Sequence, residues 1–373
     1  MGRRRSPYYA KYVELGAELV DRMGYDAPYR FTTTEAEHMA TRTAAGLYDV
    51  YHQGMVDIKG KDAEALLQKS CVNDLERIED GQVLYSSVCK GDGGMIDDLT
   101  IYRIAPDHYF LSPTPSRVEA VVAHMTGQAR GMNAYVTDRV SGTGFISVQG
   151  PNAREIVGQL TDADLSTDTL PYYAFTKTTL AEVPGYLART GYSGELGFEF
   201  FYPVEYGIYM WESVYNAGKE HGLVPCGLGA LRSIRMEKRY PLYGLDLDES
   251  TSPIEANLGW TVRFGKGEFN GRDALLRQKE KGVDRHLVAI EFDGLDFLPA
   301  TGDAVAIDGS NIGKVTSADR GFFVGKSIAL AYLRPDSTTT GTSVTVTDKS
   351  GAQATGTVNQ RAAYDPDREK VRA

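Results

Sequence analysis

Cysteine is scarce in this chain: Cys71, Cys89 and Cys226 are the only three in 373 residues, far apart and odd in number. A disulfide framework and a structural zinc site both need paired or clustered thiols, so neither organises this molecule, and a reducing cytoplasm fits best. Long apolar runs are missing too. None approaches the ~20 residues of a membrane-spanning helix, and the charged start, Met1-Gly2-Arg3-Arg4-Arg5, has no apolar stretch behind it to make a signal peptide or anchor. Positive charge is in deficit, forty Lys and Arg against fifty Asp and Glu, which excludes a nucleic acid backbone as a general partner. Arg3-Arg4-Arg5 reads as a solvated, frayed tail. The six histidines, His38, His52, His108, His124, His221 and His286, have no ligand spacing, so no metal is expected. Phosphate-binding and dinucleotide-binding glycine motifs are absent, and Gly191-Tyr192-Ser193-Gly194-Glu195 misses a serine-hydrolase elbow by its last residue.

What is present is a 42% hydrophobic, 24% charged composition, that of a globular chain with two or three packed units. A weak repeat organises it. Val56-Asp57-Ile58-Lys59-Gly60-Lys61-Asp62-Ala63-Glu64 reads like Ser147-Val148-Gln149-Gly150-Pro151-Asn152-Ala153-Arg154-Glu155: an alternating strand, a glycine turn, then a helix that Asp62 or Asn152 can cap. The first copy predicts strand 54–59, helix 62–71, strands 82–89 and 98–104, helix 116–126 capped by Ser116, and strand 132–138, a β-α-β-β-α-β order. The second predicts strand 143–149, helix 152–160, strands near 172–180, 186–190 and 197–202, helix 204–219 and a short strand before Pro225. Gly227-Leu228-Gly229 opens a further helix through Lys238; its glycines suit either an anion at the helix start or close packing against a sheet. Residues 286–361 alternate in short strands with turns at Asp308-Gly309-Ser310 and Asp348-Lys349-Ser350-Gly351, the pattern of a small antiparallel barrel or sandwich. The tail from Tyr364 to Ala373 is polar and is expected to fray.

The chemistry-bearing residues gather at strand ends. Asp97-Asp98 follows the turn Gly93-Gly94 and opens an apolar strand, so one carboxylate should point inward and the other outward. Glu199 lies among aromatics just past Gly194-Glu195-Leu196-Gly197. An enclosed carboxylate needs either a structural salt bridge or a donor-rich ligand ring, and the residues alone leave both open. Twenty-three tyrosines supply flat faces with one polar edge, which suits planar ligands.

These residues resemble the aminomethyltransferase family, that of the glycine cleavage T-protein, which also includes folate-dependent demethylases. The segments that carry the resemblance run nearly the whole chain: Arg42-Thr43-Ala44-Ala45-Gly46-Leu47-Tyr48-Asp49-Val50, Gly93-Gly94-Met95-Ile96-Asp97-Asp98-Leu99, Arg189-Thr190-Gly191-Tyr192-Ser193-Gly194-Glu195, Asp248-Glu249-Ser250-Thr251-Ser252-Pro253 and Gly325-Lys326-Ser327-Ile328-Ala329-Leu330-Ala331. The resemblance implies an α+β, three-domain cloverleaf. Two ferredoxin-like units, residues 1–50 plus 140–280 and residues 51–139, would join a C-terminal antiparallel barrel, residues 281–373, around a central tetrahydrofolate. It implies Asp98 as the catalytic carboxylate, Glu199 as the pterin anchor, and Tyr85, Tyr172, Tyr192 and Trp260, the last on a Gly-Trp strand, as pocket walls.

Departures from the T-protein pattern fall on the second-substrate side. Gln53 replaces a methionine of the cleft, Leu231 and Arg232 stand where the family has arginine and aspartate, and Thr114 stands for an asparagine. The function expected is therefore transfer of a methyl group from a small N-, O- or S-methylated substrate to tetrahydrofolate, with Tyr240 able to protonate the leaving group. The alternatives are the glycine cleavage aminomethyltransferase, acting on a lipoyl carrier protein, and a folate-binding protein without catalysis. Arg232, Arg235, Arg239 and Arg361 are candidates for the pocket mouth, where a folate tail would present carboxylates.

Overall fold

The structure, a computed structural model, describes residues 3–373. Its two strand–turn–helix copies agree in backbone detail. Gly60 and Gly150 both take positive φ, 123° and 139°. A Cβ there would lie 2.3 Å from the Asn133 carbonyl oxygen in the first copy and 2.5 Å from that of Ala44 in the second, so only glycine admits the neighbouring segment. Two residues on, the N–H groups of Asp62 and Asn152 donate to those same carbonyls, each at 3.0 Å. Neither side chain caps its helix as expected. Asp62 accepts from the Asn133 N–H and Asn152 donates to the His221 carbonyl, because both fasten the adjoining segment instead. Ser116 caps nothing either; it sits inside a 3-10 turn, Pro115–Arg117, ahead of helix Val118–Gln128.

The first copy builds a five-stranded sheet ordered Val83–Cys89, Met95–Ala105, His108–Ser112, Val56–Lys59, Tyr135–Asp138. Strand His108–Ser112 was not expected; the chain reverses at Pro106-Asp107 and pairs straight back, Arg103 opposite Tyr109. The second copy builds six strands ordered Phe175–Leu180, Val183–Ala188, Gly197–Pro203, Thr143–Gln149, Ala45–Asp49, Leu223–Cys226. Ala45–Asp49 comes from upstream of the other sheet, lying antiparallel to Thr143–Gln149 and parallel to Leu223–Cys226. Six antiparallel strands from His286 to Asn359 close into a barrel. The fold is thus α+β with a C-terminal closed barrel, as expected.

Each body has its own apolar core, around Trp211, Leu67 and Val288 respectively. Between the two sheets lies an aromatic layer of Tyr102, Phe110, Phe145, Phe175 and Phe201. Tyr102 stacks on Phe110 and Phe145 on Phe201, both with centroids 4.1 Å apart. Such packed aromatic area dominates the energetics of a junction and holds the two sheets face to face.

Both chain ends depart from expectation. Arg4–Arg5 remain exposed but form a strand beside Tyr25 and Asp26, with Arg3 bonded to Asp26 at 3.0 Å. The tail is docked rather than frayed: Tyr364 and Val371 are buried, Lys238 Nζ reaches Asp365 at 3.0 Å, and Arg189 donates to the Val371 and Ala373 carbonyls. No helix among the described residues is long and apolar enough to cross a membrane.

Candidate active site

Strand parity places the two acids. Asp98, Thr100 and Tyr102 share one face of Met95–Ala105, and Glu199 and Phe201 share one face of Gly197–Pro203. Tyr102 and Phe201 meet edge to face, centroids 5.4 Å apart, so the two carboxylates stand on the sides of the sheets that face each other.

Asp98 is half-buried and accepts a 2.7 Å hydrogen bond from the Tyr85 hydroxyl. Loss of solvent pushes its carboxyl up to about 6, against the lowering effect of that bond. Its neighbour Asp97 occupies the opposite face, yet it does not reach solvent as expected. It is fully buried, takes the Thr114 N–H at 2.8 Å on one oxygen, and leaves the other without a partner. Burial, then the adjacent charge of Asp98, drives Asp97 well above the carboxylate range. The pair thus settles as one protonated and one ionisable acid.

Glu199 lies opposite Ser147 in the ladder and accepts a 2.6 Å bond from the Thr190 hydroxyl. Desolvation raises it to about 7, with Thr190 and Ser147 pulling the other way. Neither Asp98 nor Glu199 has an ion-pair partner among the described residues. The structural salt bridge that the sequence left open is therefore not formed. Gln149 props the loop above: it receives Ser193 Oγ at 2.6 Å and donates to the Thr190 carbonyl. A Cβ on Gly191 or Gly197 would come within 2.2 Å of it, which is why both positions are glycine.

Aromatics surround the acids. The Tyr85 ring stacks on Trp260 at 5.9 Å. Trp260 lies in a 3-10 turn, Gly259–Thr261, not on a strand, and is 53% exposed. Tyr192 leans on Tyr240 at 5.6 Å and donates to the Pro241 carbonyl at 2.5 Å; Tyr172 meets Tyr173 edge-on at 4.6 Å. Burial raises every one of these phenols, so all are protonated donors at neutral pH. After burial, Tyr85 feels Asp98, Tyr173 and Tyr192, while Tyr173 feels Tyr240 and Glu199. One electrostatic enclosure holds them all.

Thr114 does not join this group; it meets Asp97 on the other face. Gln53 lies in the turn Tyr51–Gln53, and its side chain has no hydrogen bond among the described residues. Of the four arginines, Arg235 is buried against Asp246 at 2.6 Å and Arg361 pairs with Asp367 on the surface. Arg232 and Arg239 are half-buried with Nε atoms that have no partner. The glycine-rich helix start is a packing device: Gly227 gives its N–H to Glu37 at 2.8 Å, and a Cβ there would lie 2.3 Å from the Tyr29 carbonyl oxygen. Sequence reasoning named Asp97 but gave it no role at the site, and it passed over Tyr173, which adjoins the named Tyr172.

The profile of the GCVT N-terminal domain matches residues 8–266, and that of the glycine cleavage T-protein C-terminal barrel domain matches residues 285–365. The aminomethyltransferase of Halothermothrix orenii is 37% identical over 343 residues, 92% of this chain and 95% of that protein. The aminomethyltransferase of Caldanaerobacter subterraneus is 40% identical over 330 residues, 88% of each chain. The crystal structure of glycine cleavage system aminomethyltransferase T from Bartonella henselae superposes with a TM-score of 0.89 at 25% identity, covering 97% of this chain and 98% of that one. The fold and the comparisons together define a folate-dependent one-carbon transferase. The chain belongs to the glycine cleavage T-protein family; it is an enzyme, and tetrahydrofolate is its cofactor.

Proposed function

We propose that this enzyme is an aminomethyltransferase that accepts an aminomethyl group from a lipoyl carrier protein, releases ammonia and passes the carbon to tetrahydrofolate. The observation that carries the reading is the pair of half-buried carboxylates, Asp98 and Glu199, on facing strands with no cation beside either. Such a pair suits a flat ring rich in N–H groups. Glu199 would accept two of them in the fork geometry of a carboxylate. Tyr85, Tyr172, Tyr192 and Trp260 would wall the ring. Asp98 would hold and exchange a proton at the reacting nitrogens, and Tyr240 would protonate the leaving amine, its phenol being kept neutral by burial. Tetrahydrofolate supplies the nitrogens that receive the one-carbon unit.

Relatives named aminomethyltransferase, matched over about nine-tenths of both chains, favour this reading over the expected demethylase. The demethylase keeps one specific support. Leu231 is partly buried against the aromatic layer between the sheets, an apolar side chain where the family pattern has an arginine. We further infer a cytoplasmic setting, which three buried free thiols support, and a division into residues 1–50 plus 140–280, 51–139 and 281–373, which the strand order of the three main sheets supports. The assay is direct: aminomethylated carrier and tetrahydrofolate should yield ammonia and methylenetetrahydrofolate, and Asp98→Asn should slow the release of both by about 10² or more. Methyltetrahydrofolate formed from a small methylated donor, with no ammonia from the carrier, reverses the order of the two readings.

A further inference from the structure

The face of the five-stranded sheet that carries Asp98 changes character along its strands. Residues opposed in the ladder stand side by side on one face, and three such rows follow one another. The first, Val83, Tyr102 and Phe110, belongs to the apolar layer packed between the sheets. The second is Tyr85, Thr100 and Ser112, and the third holds Ser87 and Asp98. Beyond the aromatic layer, therefore, every one of these side chains ends in a hydroxyl or a carboxylate, and none is basic. The Tyr85 hydroxyl is bound to Asp98 at 2.7 Å. Ser87 and Ser112 have no such use: they are 0% and 2% exposed, and neither hydroxyl has a hydrogen-bond partner among the described residues. A buried hydroxyl left unpaired is destabilising, and alanine would fill either place without that penalty. The fold alone gives no reason for serine at these two positions. Ser87 lies directly across from Asp98 on one neighbouring strand, and Ser112 lies one diagonal step away on the other. Opposed residues have Cβ atoms about 5 Å apart and diagonal ones about 7–8 Å. A small group seated at Asp98 can touch both hydroxyls.

We propose that Ser87 and Ser112 are specificity-determining residues that, together with Asp98, cradle the amine nitrogen of the one-carbon donor. The sign of the site follows from its members. An anionic group would be repelled by Asp98, and an ether or thioether would bring no N–H to it. An alkylammonium brings three N–H donors and a positive charge, which one carboxylate and two hydroxyl oxygens can accept. The inference rests on the aminomethyltransferase reading and deepens it: the nitrogen held is the one that leaves as ammonia, and the donor is narrowed to a nitrogen compound.

The test uses methylammonium and acetate, two probes of similar size and opposite charge whose methyl signals are followed by saturation-transfer NMR at pH 8. Wild type, Ser87→Ala, Ser112→Ala and the double variant are titrated with 5-formyltetrahydrofolate already bound, and the affinity for 5-formyltetrahydrofolate and the unliganded melting temperature are measured alongside. Wild type should bind methylammonium in preference to acetate. The double variant should bind methylammonium at least about tenfold more weakly, since two hydrogen bonds to a cation are lost. It should keep its affinity for 5-formyltetrahydrofolate and melt no lower than wild type, because an unpaired buried hydroxyl has been removed at each position. Undiminished methylammonium binding by the double variant overturns the proposal, and so does a wild type that prefers acetate. Equal loss of methylammonium and 5-formyltetrahydrofolate assigns the hydroxyls to the folate ring instead, and a lowered melting temperature with that loss assigns them to packing; both results also overturn it. The underlying reading is tested separately with aminomethylated carrier. A wild type that holds methylammonium through the two serines yet releases no ammonia strikes at the aminomethyltransferase reading and leaves the cradle standing. A double variant that releases ammonia with an unchanged KM for the carrier upholds that reading and removes the cradle.

Discussion

The Tyr85 hydroxyl donates to Asp98 at 2.7 Å while its ring stacks on Trp260, so one side chain both tunes the acid and builds the wall. Burial alone would raise Asp98 further; the Tyr85 bond favours the charged form and holds the carboxyl at about 6. Tyr85→Phe keeps the ring and removes the bond. The acidic limb of the pH profile of kcat/KM is expected to move up by roughly one unit, with kcat at pH 8 little altered. A limb that stays in place means that a different group controls it.

Glu199 sits at about 7 in the folded protein against an ordinary 4.5. Its folded-state value is raised, so the contribution is full below about 4.5 and is lost as pH rises through about 7. Glu199→Gln mimics the protonated form. Without ligand, the variant should resist urea better than wild type at pH 8, by on the order of 1–2 kcal/mol after allowing for partial exposure, and should match it near pH 5. Binding of 5-formyltetrahydrofolate should weaken at least about tenfold, because the amide puts an NH2 donor where the carboxylate offers its second acceptor oxygen to the paired N–H groups. Greater stability with undiminished affinity would detach Glu199 from the ring.

The two acids were legible because alternation fixes which side of a strand a residue takes, and a Gly turn before each marks where the strand begins. The repeated Gly60 and Gly150 turns were legible for a similar reason: a positive φ demands glycine locally. What the sequence hid depends on distant partners. Arg4 pairs with Tyr25, Lys238 pins Asp365, and Arg189 holds residues 371–373, none of which has a local signature. Strand His108–Ser112 was lost because the reversal at Pro106-Asp107 is too short to separate two strands by composition. Asp62 and Asn152 follow the capping pattern but serve neighbouring segments, a tertiary choice that overrides the local one.

Asp97 and Asp98 are adjacent in sequence and opposite in consequence. Asp97 is already held protonated by burial, and its one partner is a backbone donor, the Thr114 N–H. Asp97→Asn offers the same acceptor and should preserve the fold and most of the activity. Asp98→Asn should lower kcat by about 10² or more while leaving the fold intact. Parallel circular dichroism and turnover measurements decide it; equal losses from the two variants would refute the division of labour.

Asp246 joins the sheet-bearing body to the barrel. It accepts from Arg235 at 2.6 Å and from the Leu242 N–H at 2.9 Å, while its other oxygen receives the Thr316 and Ser317 hydroxyls of the barrel at 2.5 and 2.6 Å. Arg235 and Asp246 are each 1% exposed. Asp246→Asn removes the charge and leaves a buried guanidinium uncompensated, which costs about 3–5 kcal/mol. Its melting temperature should therefore fall by several degrees at pH 7. The double replacement Arg235→Met with Asp246→Leu removes both charges, and it should recover part of that loss even though the hydroxyls of Thr316 and Ser317 lose their acceptor. Scanning calorimetry on the three proteins separates the cases. If the single variant melts with wild type, the ion pair is not what holds the barrel in place; if the double variant melts below the single one, the hydroxyl bonds across the junction outweigh the charge.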